Sequence, residues 1–308
     1  MTPKIDVCIA TYKRPQLLKK LLVSVLSQQT AGEFTFTVIV ADNDAQRSAE
    51  PVVRELNASG EKIIYAVEPQ QNISLARNKA LSFATGDYIA TIDDDEYADS
   101  HWLLNLYRAL TSHNADVVHG PVLAEFQPKT PHYIRAGFIR PNPPTGSTEK
   151  YVLNAGNTLF RSKLLEDLPT PFEPRFGRTG GEDSAFFYRL RGRGCRMVWC
   201  RESLVFEQVS PHRANLVWLL KRNFRNGNLY PRYHGNSNPT HAAQIGLTCL
   251  QLAALSCGIL FFMIGGIFSS KYNNQCIVCL RKISFRLGIL AHYANIRIGN
   301  RDDEDSNI

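Results

Sequence analysis

Hydrophobic and polar positions change their spacing repeatedly along the first 92 residues. Four segments show the short apolar runs or the alternation typical of buried strands: residues 5–10, 34–40, 62–67 and 88–92. Three segments between them show the pattern of helices: residues 15–26, 50–58 and 74–83. This β-α-β-α-β-α-β order predicts an α/β fold in which helices flank a mostly parallel sheet.

The pattern is less regular downstream. Strands are predicted at 117–123 and 151–161, and helices at 101–110 and 184–190. Residues 126–150, between the two strands, are rich in Pro, Gly and Thr, which predicts a long irregular segment. Such a segment is either a functional loop or a plain surface excursion.

The fourth predicted strand runs directly into four consecutive acids, Asp93 to Glu96. Adjacent carboxylates repel one another, and they are costly at the end of a buried strand unless a partner neutralises them. Mg²⁺ or Mn²⁺ suits this role because hard cations prefer oxygen ligands, and ligands of open α/β sheets bind at the carboxyl ends of strands. We therefore expect Asp93 and Asp95 to form a D-x-D metal and diphosphate site, in which Asp94 could replace Asp95. A solvated acidic loop is the alternative.

Charge and cysteine content narrow the class of protein. The net charge of +7 and the pI near 9.0 favour an anionic lipid or a phosphorylated substrate, and we find no nucleic-acid-binding motif. The seven cysteines are odd in number and irregular in spacing, which favours a reducing compartment over a disulfide framework. The apolar run at 5–10 is too short for a signal peptide. The turn at 10–15 lacks both the dinucleotide fingerprint and the Walker A loop.

Two glycines precede a pair of acids at the predicted start of the helix at 184–190. Gly180 and Gly181 permit close backbone approach by a ligand, and Glu182 and Asp183 follow them directly. An acid in the first helical turn is often only a cap, so Asp183 is either a functional carboxylate or a helix cap.

Several blocks along the chain resemble the inverting, family 2 glycosyltransferases. They occur in the order found in that family: Ile9-Ala10-Thr11-Tyr12-Lys13-Arg14-Pro15, Val38-Ile39-Val40-Ala41-Asp42-Asn43, Ser74-Leu75-Ala76-Arg77-Asn78, Ile92-Asp93-Asp94-Asp95-Glu96, Asn154-Ala155-Gly156-Asn157 and Gly181-Glu182-Asp183. The resemblance covers about the first 230 residues, and the chain looks like bacterial exopolysaccharide glucosyltransferases of the succinoglycan type. It implies a GT-A fold, which is a Rossmann-like architecture that binds nucleotide-diphospho-sugars.

The resemblance also implies roles for residues at the donor site. Asp42 would read the nucleotide base, Thr11 and Arg14 would line the same pocket, and Arg77 would contact the nucleotide or its diphosphate. Each has a structural alternative: Asp42 could cap the loop after its strand, Arg77 could be a surface charge on its helix, and Thr11 could make a turn hydrogen bond.

The remaining implied roles concern the metal and the proton. Asp93 and Asp95 would hold Mg²⁺ or Mn²⁺ on the donor diphosphate. Asp183 would be the general base that accepts the proton of the acceptor hydroxyl, with Glu182 as the alternative base. Inversion needs a single displacement and therefore no second carboxylate nucleophile.

The C-terminal third is basic and then apolar. Residues 210–241 contain five basic residues and no acid. Arg222 and Arg225 are predicted to contact phosphate, either in the donor diphosphate or in a lipid-linked acceptor. Alternatively they belong to a positively charged surface that faces a membrane. His212 is either a third metal ligand or a solvent-exposed histidine.

An uncharged segment at 242–270 is longer than the ~20 residues needed to cross a bilayer. Basic residues on both flanks favour a re-entrant or hairpin membrane element with both ends cytoplasmic, and a buried helical hairpin is the alternative. Residues 276–290 have the pattern of an interfacial amphipathic helix. We therefore expect a glycosyltransferase domain at 1–230, a membrane-associated helical segment at 231–300 and a disordered acidic tail at 301–308.

The function implied by the resemblance is the transfer of one sugar, glucose from UDP-glucose, to a polyprenyl-diphosphate-linked oligosaccharide. The expected location is the cytoplasmic face of the bacterial inner membrane, and no nucleic-acid partner is expected. A sugar nucleotidyltransferase is one alternative, but it typically has a Gly-rich basic loop after the first strand, which is missing. A non-catalytic membrane scaffold is another, but loss of the base or of the D-x-D pair would be expected there, and both are present.

Overall fold

The computed structural model describes residues 2–148, 154–234, 241–266 and 270–296. The strands are β1 (Lys4–Thr11), β2 (Thr35–Asp42), β3 (Ile63–Val67), β4 (Tyr88–Thr91), β5 (Glu96–Ala98), β6 (Val117–His119), β7 (Val122–Glu125), β8 (Thr158–Arg161), β9 (Met197–Trp199) and β10 (Val205–Gln208). The helices are α1 (Pro15–Leu26), α2 (Glu50–Ala58), α3 (Ile73–Leu81), α4 (Trp102–Ser112), α5 (His132–Ala136), α6 (Glu182–Gly192), α7 (Leu216–His234), α8 (His241–Gly266) and α9 (Ser270–Tyr293).

Seven of these strands form one sheet, in the spatial order β3-β2-β1-β4-β8-β6-β9. The first four strands of the chain pair in parallel, and so do β6 and β9. β8 runs antiparallel to both of its neighbours, a reversal that the hydrophobic pattern did not reveal. The predicted α/β class with a mostly parallel sheet is therefore confirmed. Because β1, β2 and β4 are parallel, their carboxyl ends lie at the same edge.

Apolar side chains cover both faces of this sheet. Ile5, Val7 and Ile9 alternate along β1 and pack in one core cluster with apolar residues of α1 and α4. Cys8 belongs to a second cluster with buried residues of α3 and α6. Helices on both faces explain why the strands read as nearly continuous apolar runs. The strands whose carboxyl ends form this edge are therefore held by packed apolar cores on both faces of the sheet.

A second sheet, with the strand order β5-β10-β7, begins where the first one ends. β4 stops at Thr91 in the first sheet, and β5 starts at Glu96 in the second. β5 and β10 are antiparallel, with Glu96 opposite Glu207. The acids at 93–95 are consequently the joint between two sheets.

The chain divides into two compact units. The first contains residues 1–123 and 140–208, and the second contains residues 124–139 and 209–308. The domain boundary predicted at residue 230 differs from this division, because α7 packs against α9 inside the second unit. The irregular segment predicted at 126–150 includes α5, which also belongs to the second unit.

Within the second unit, α9 packs against both α7 and α8. The backbones of α7 and α9 touch where they cross. A Cβ added to Gly227 would overlap the carbonyl group of Phe285, and one added to Gly288 would overlap the carbonyl oxygen of Phe224. Both helices therefore need glycine at this crossing.

The structure tests some of the predictions for the C-terminal third and leaves others untested. Residues 242–266 of the first predicted segment lie in α8, the helix predicted at 276–290 lies in α9, and residues 267–269 lie outside the described residues. Among the residues that the structure describes, we find no helix with both the length and the apolar character for crossing a bilayer. Membrane attachment stays a prediction. The tail at 301–308 lies outside the described residues.

Two predicted strands differ from the observed ones. The strand predicted at 117–123 is two strands, β6 and β7, which Gly120 and Pro121 separate because proline cannot donate a ladder hydrogen bond. The strand predicted at 151–161 is observed from Thr158, and residues 151–153 lie outside the described part of the chain.

Candidate active site

Polar residues from distant parts of the sequence meet at the carboxyl edge of the seven-stranded sheet. Thr11 ends β1, and Asp42 ends β2 directly beside it in register. β4 lies on the other side of β1 and leads into Asp93. Arg14 lies in the turn after β1 and immediately precedes α1. The parallel topology thus brings most of the predicted donor and metal residues together.

Asp94 is held at this edge by two residues of the β1 turn. Its Oδ2 accepts a hydrogen bond from Thr11 Oγ1 at 2.8 Å, and its Oδ1 lies 3.2 Å from Arg14 Nη1. The same nitrogen lies 3.5 Å from Oδ2 of Asp95. The side chain of Asp94 is 9% exposed, whereas those of Asp93 and Asp95 are 40% and 21% exposed. Asp93 and Asp95 therefore offer more accessible carboxylate oxygen than Asp94 does.

Arg77 connects the acid run to the start of α6. Its Nη2 donates a hydrogen bond of 2.7 Å to Asp93 Oδ1, and its Nε lies 3.5 Å from Glu182 Oε1. Burial alone would lower the pKa of Arg77, but the charges of Asp93, Glu182 and Asp183 outweigh burial and raise it. Arg77 is therefore a buried, permanently charged group, and the surface-charge alternative is excluded.

Hydrogen bonds fix the helix that carries Arg77. Asn72 caps α3 by accepting hydrogen bonds from the backbone N–H groups of Ser74 and Leu75 at 3.0 and 3.2 Å. Asn78, one residue after Arg77, exchanges hydrogen bonds of 2.7 and 2.9 Å with the backbone of Phe172. Arg77 is consequently held at a defined distance from the acids.

Negative charge is more concentrated at this edge than the sequence shows. Glu96 and Glu207 lie opposite each other on paired strands, and both are buried. Burial, together with the charges of Glu207, Asp94 and Asp93, raises the pKa of Asp95 to about 7. Burial and the neighbouring acids also raise the pKa of Glu96 well above its usual range. A cation at this edge would relieve the repulsion.

The oxygen donors fit a hard divalent cation that is shared with a ligand. Mg²⁺ usually takes one or two protein carboxylates and completes its shell with water and phosphate oxygens. Asp93 and Asp95 supply such carboxylates. Within the described ranges, no group of three or more His, Cys, Asp and Glu side chains has the arrangement of an all-protein metal site. The arrangement therefore suits a cation that is completed by a diphosphate.

Asp42 is fully buried, and groups inside the protein already occupy its carboxylate. The backbone N–H groups of Asp44 and Ala49 donate to it at 3.0 and 2.8 Å, and the hydroxyl of Tyr65 donates at 2.8 Å. Burial and this last hydrogen bond raise the pKa of Tyr65. Asp42 thus caps the loop after β2. Its predicted contact with the nucleotide base stays a prediction.

Glu182 and Asp183 open α6 in different surroundings. The preceding Gly180 and Gly181 have φ angles of +82° and +91°, which residues with a side chain rarely adopt. Glu182 is 2% exposed and directed at Arg77. Asp183 is only half-buried, and its Oδ1 accepts a hydrogen bond of 2.6 Å from the next backbone N–H. Asp183 is therefore the more accessible of the two acids to a substrate.

Two residues that lie against Glu96 were not predicted as site residues from the sequence. Gly156 lies so close to Glu96 that an added Cβ would be 2.5 Å from its Oε1. The block Asn154 to Asn157 pointed to Gly156 by resemblance, although it did not reveal this contact. Glu207 carried no recognisable signal, because its proximity depends on the pairing of β5 with β10.

Asn157 connects the start of α4 to the segments that precede β7 and β10. It is fully buried, accepts a hydrogen bond of 2.9 Å from the Trp102 indole, and donates to the carbonyl oxygens of Pro121 and Ser203 at 2.9 and 2.7 Å. All its hydrogen-bonding groups are thus used inside the protein. Asn157 is a structural residue of the site.

The basic residues predicted to contact phosphate lie in the second unit. The guanidinium groups of Arg213 and Arg222 lie over the ring of Trp218, 4.9 and 5.1 Å from its centroid. Arg225 follows on the same helix, and His212 precedes it. Phosphate contacts by Arg222 and Arg225, and metal ligation by His212, stay predictions.

Comparison with known families identifies the chain. Residues 6–168 match the model of glycosyl transferase family 2, and this range contains most of β1, all of β2 to β4, Arg77 and the acid run. The chain belongs to glycosyl transferase family 2. The resemblance inferred from the sequence blocks is confirmed.

Two curated relatives match this family 2 glycosyltransferase over segments of different length. The succinoglycan biosynthesis protein ExoM of Rhizobium meliloti is 36% identical over 235 residues, which covers 75% of each chain. The uncharacterised glycosyltransferase MJ1057 of Methanocaldococcus jannaschii is 29% identical over 140 residues, or 41% of this chain and 47% of that protein. The first match extends beyond the range of the family model.

Solved glycosyltransferases share the fold of this family 2 member. The mannosyltransferase PcManGT from Pyrobaculum calidifontis, solved with GDP-Man and Mn²⁺, has a TM-score of 0.66 at 16% identity, over 96% of this chain and 89% of its own. TarS of S. aureus, solved with UDP, has a TM-score of 0.53 at 14% identity, over 95% and 92%. These likenesses confirm the GT-A fold.

Proposed function

We propose that this family 2 glycosyltransferase moves glucose from UDP-glucose to a polyprenyl-diphosphate-linked oligosaccharide in exopolysaccharide biosynthesis. Similarity to ExoM supports the pathway class. The observation that carries the proposal is the placement of Arg14 and Arg77 against three adjacent carboxylates, at the sheet edge where α/β proteins bind ligands. Acids and cations side by side suit a diphosphate that arrives with a divalent cation.

The donor is bound by residues of the first unit. Thr11 and Arg14 line its nucleotide side, Asp42 supports the loop beside the base, and Arg77 meets the diphosphate. As the sugar leaves, negative charge grows on the diphosphate oxygen, and a fixed guanidinium stabilises that charge without reorganising. The ion pair with Glu182 keeps Arg77 in position for this.

Mg²⁺ or Mn²⁺ would be held by Asp93 and Asp95. When bound, such an ion supplies Lewis-acid neutralisation of the diphosphate. The protein's own contribution is orientation: Arg77 fixes one oxygen of Asp93, and Arg14 lies beside Asp95. Thr11 and Arg14 hold Asp94 away from this role.

Asp183 acts as the general base. It accepts the proton of an acceptor hydroxyl while the hydroxyl oxygen bonds to the anomeric carbon. The bond from that carbon to the diphosphate oxygen breaks on the opposite face, and its electron pair leaves with the nucleoside diphosphate. One displacement therefore inverts the configuration, and no covalent sugar intermediate is needed.

The test combines donor choice with a metal requirement. Purified full-length protein is incubated with several nucleotide sugars and a lipid-linked oligosaccharide, and extended acceptor is measured by mass spectrometry. We expect glucose transfer with Mg²⁺ or Mn²⁺ and its loss in EDTA. Asp95→Asn should lower kcat at least about 10²-fold, because Lewis-acid stabilisation amounts to several kcal/mol.

Asp167→Asn is the matched control, because Asp167 is an exposed aspartate of the same unit. It should leave turnover unchanged. Full activity of the wild-type protein in EDTA would rule out the metal requirement. Release of inorganic pyrophosphate would point to a nucleotidyltransferase, and binding of donor without any product would point to a scaffold.

A further inference from the structure

The second unit contains a cleft that the proposed reaction does not use. It lies among α7, α8 and α9 and has a volume of about 510 Å³. The residues that line it come from the middle of each helix, so the cleft belongs to the helical packing itself. Its volume is sufficient for a small ligand or part of a larger one.

Three cationic side chains line this cleft: Arg281, Lys282 and Arg286. The sequence has no Asp or Glu from residue 208 to residue 301, so α7, α8 and α9 supply no carboxylate to neutralise them. Three positive charges close together, with no carboxylate from the helices that form the cleft, favour a ligand with several negative charges.

Arg281 is the most constrained of the three cations. Burial lowers its pKa, and its Nε is buried without a hydrogen-bond partner in the described part of the chain. The Oε1 atom of Gln251, which lies on α8 and also lines the cleft, is likewise buried without a hydrogen-bond partner among the described residues. Buried polar atoms normally have partners, so an oxygen-rich ligand that also carries a bridging water or hydroxyl would complete both.

The rest of the lining is apolar. Leu255, Val278 and Phe285 form part of the wall. On α8, Leu247 and Leu250 precede Gln251 at the spacing of one helix face, and they are 56% and 72% exposed. An apolar track therefore leads from the cationic cleft along the surface of α8. The combination fits an anionic head attached to a hydrocarbon chain.

We propose that this cleft binds a diphosphate that is carried on a hydrocarbon chain. Resting on the proposed function, this assigns the lipid end of the polyprenyl-diphosphate-linked acceptor to the α7–α9 helices. Three cations match the several charges of a diphosphate better than the single charge of a typical anionic phospholipid. The apolar track disfavours free phosphate, which has nothing to bury there.

Binding of farnesyl diphosphate to the full-length protein, measured by titration calorimetry, tests the proposal. Arg281→Gln and Arg286→Gln should each raise the Kd at least about tenfold, because each removes a charge-assisted contact. Lys282→Gln should have a smaller effect, since Lys282 is exposed. Lys129→Gln, which removes an exposed lysine of the same unit outside the cleft lining, should leave the Kd unchanged. Circular dichroism shows whether each variant is folded, and Arg281→Lys should restore part of the binding.

Three further probes separate the sources of the diphosphate chemistry. Farnesol lacks the head, inorganic pyrophosphate lacks the chain, and phosphatidylglycerol vesicles offer a bilayer of single charges. All three should bind at least about tenfold more weakly than farnesyl diphosphate. Equal binding of pyrophosphate, or equal competition by the vesicles, would overturn the assignment, and so would unchanged affinity in the folded Arg281 and Arg286 variants.

Turnover distinguishes this inference from the proposed function. Arg281→Gln should raise KM for the lipid-linked acceptor and leave KM for the sugar donor unchanged, since the donor residues lie in the first unit. Glucose transfer with an unchanged acceptor KM in this variant would refute the cleft assignment alone. Binding of farnesyl diphosphate without any transfer would refute the proposed function alone.

Discussion

The guanidinium group of Arg77 forms ion pairs with two carboxylates that differ in solvent exposure. Asp93 receives the shorter contact, 2.7 Å, and is 40% exposed, whereas Glu182 is 3.5 Å away and buried. A ligand that enters from solvent can therefore compete for the Asp93 side, while Glu182 keeps the arginine in place. The pair of acids gives Arg77 both a fixed position and an accessible face.

This difference leads to a prediction for the two acids of α6. Asp183→Asn keeps the shape of the side chain and its ability to cap the helix, so the variant should fold and bind donor. Its kcat should fall by about 10²–10⁴, because the proposed general base is lost. Glu182→Gln should be milder in kcat and should lower the free energy of unfolding by about 1–3 kcal/mol, because a buried partner of Arg77 is weakened.

Steady-state kinetics and urea denaturation of both variants check this prediction. An almost fully active Asp183→Asn enzyme beside an inactive Glu182→Gln enzyme would transfer the role of base to Glu182. A stable but equally slow pair would contradict the division of roles between the two side chains.

His119 is a buried histidine whose neighbours favour its neutral form. Thr158 Oγ1 donates its proton to the carbonyl of Asn154 and lies 2.8 Å from His119 Nδ1, which is therefore the donor of that pair. Burial, and secondly the charge of Arg191, lower the pKa of His119 to about 3. An ordinary histidine in the unfolded chain titrates near 6.5.

The sign of the resulting pH dependence follows from proton counting. Between about pH 6.5 and 3 the unfolded state binds one more proton than the folded state at this residue, so acid destabilises the fold. His119 should add up to ~1.4 kcal/mol per pH unit to the slope of the unfolding free energy in this range. His119→Gln, which can still bond Thr158, should show a shallower slope in urea titrations between pH 6.5 and 4. Equal slopes in the two proteins would contradict this assignment.

The crossing of α7 and α9 depends on two glycines. Gly227→Ala or Gly288→Ala would put a methyl group into the carbonyl of the other helix, and each should lower the free energy of unfolding by about 1–3 kcal/mol. Gly246→Ala is the matched control, because Gly246 lies in α8 with open space around its Cβ direction. That variant should be neutral or more stable by up to about 1 kcal/mol. Thermal denaturation compares the three variants, and a Gly227→Ala protein as stable as Gly246→Ala would show that the crossing tolerates a side chain at this position.

The elements that the sequence predicted well are those whose signals are local. α2 was predicted at its observed bounds, and β1 to β4 were found within a few residues, because burial on both faces leaves a plain apolar run. β5, β8 and β10 are short, and their pairing depends on residues far away in the chain. No periodicity of three or four residues can specify such partners.

The candidate site divides in the same way. The placement of Asp93, Asp95 and Arg77 at one sheet edge was predictable, because a carboxylate run at a strand end and a family block are local features of the sequence; their roles stay predictions. The crowding by Glu207 and the enclosed carboxylate of Asp42 were not, since both arise from tertiary packing. The glycines before α6 are expected to permit close approach by a ligand, which stays a prediction; their positive φ angles are a further feature that the sequence did not reveal.

On the scale of the whole molecule, charge is distributed unevenly. Residues 1–208 contain 24 Lys or Arg and 24 Asp or Glu, so the net charge of +7 comes entirely from residues 209–308. We expect the protein to bind phosphatidylglycerol vesicles and to be released as salt increases from 0.05 to ~0.5 M. Lys221→Gln should weaken binding roughly fivefold, in line with ~1 kcal/mol per basic residue at an anionic surface.

Vesicle sedimentation measures this binding. Lys19→Gln removes an exposed lysine of the first unit and should have no effect. Phosphatidylcholine vesicles should bind little protein. Binding that resists high salt and needs detergent for release would instead indicate insertion of α8, and absence of binding to anionic vesicles would contradict the expected membrane attachment.

The position of the acids between the two sheets also determines when, during synthesis of the chain, their surroundings are complete. Asp93 to Glu96 leave the ribosome early, but their surroundings require β8, which pairs with β4, and β10, which pairs with β5. A nascent chain that ends before Gln208 therefore carries its acids without the strand that encloses them. We expect that such a chain does not bind the donor, and a ribosome-stalled series of increasing length should acquire nucleotide-sugar binding only after Gln208 has emerged.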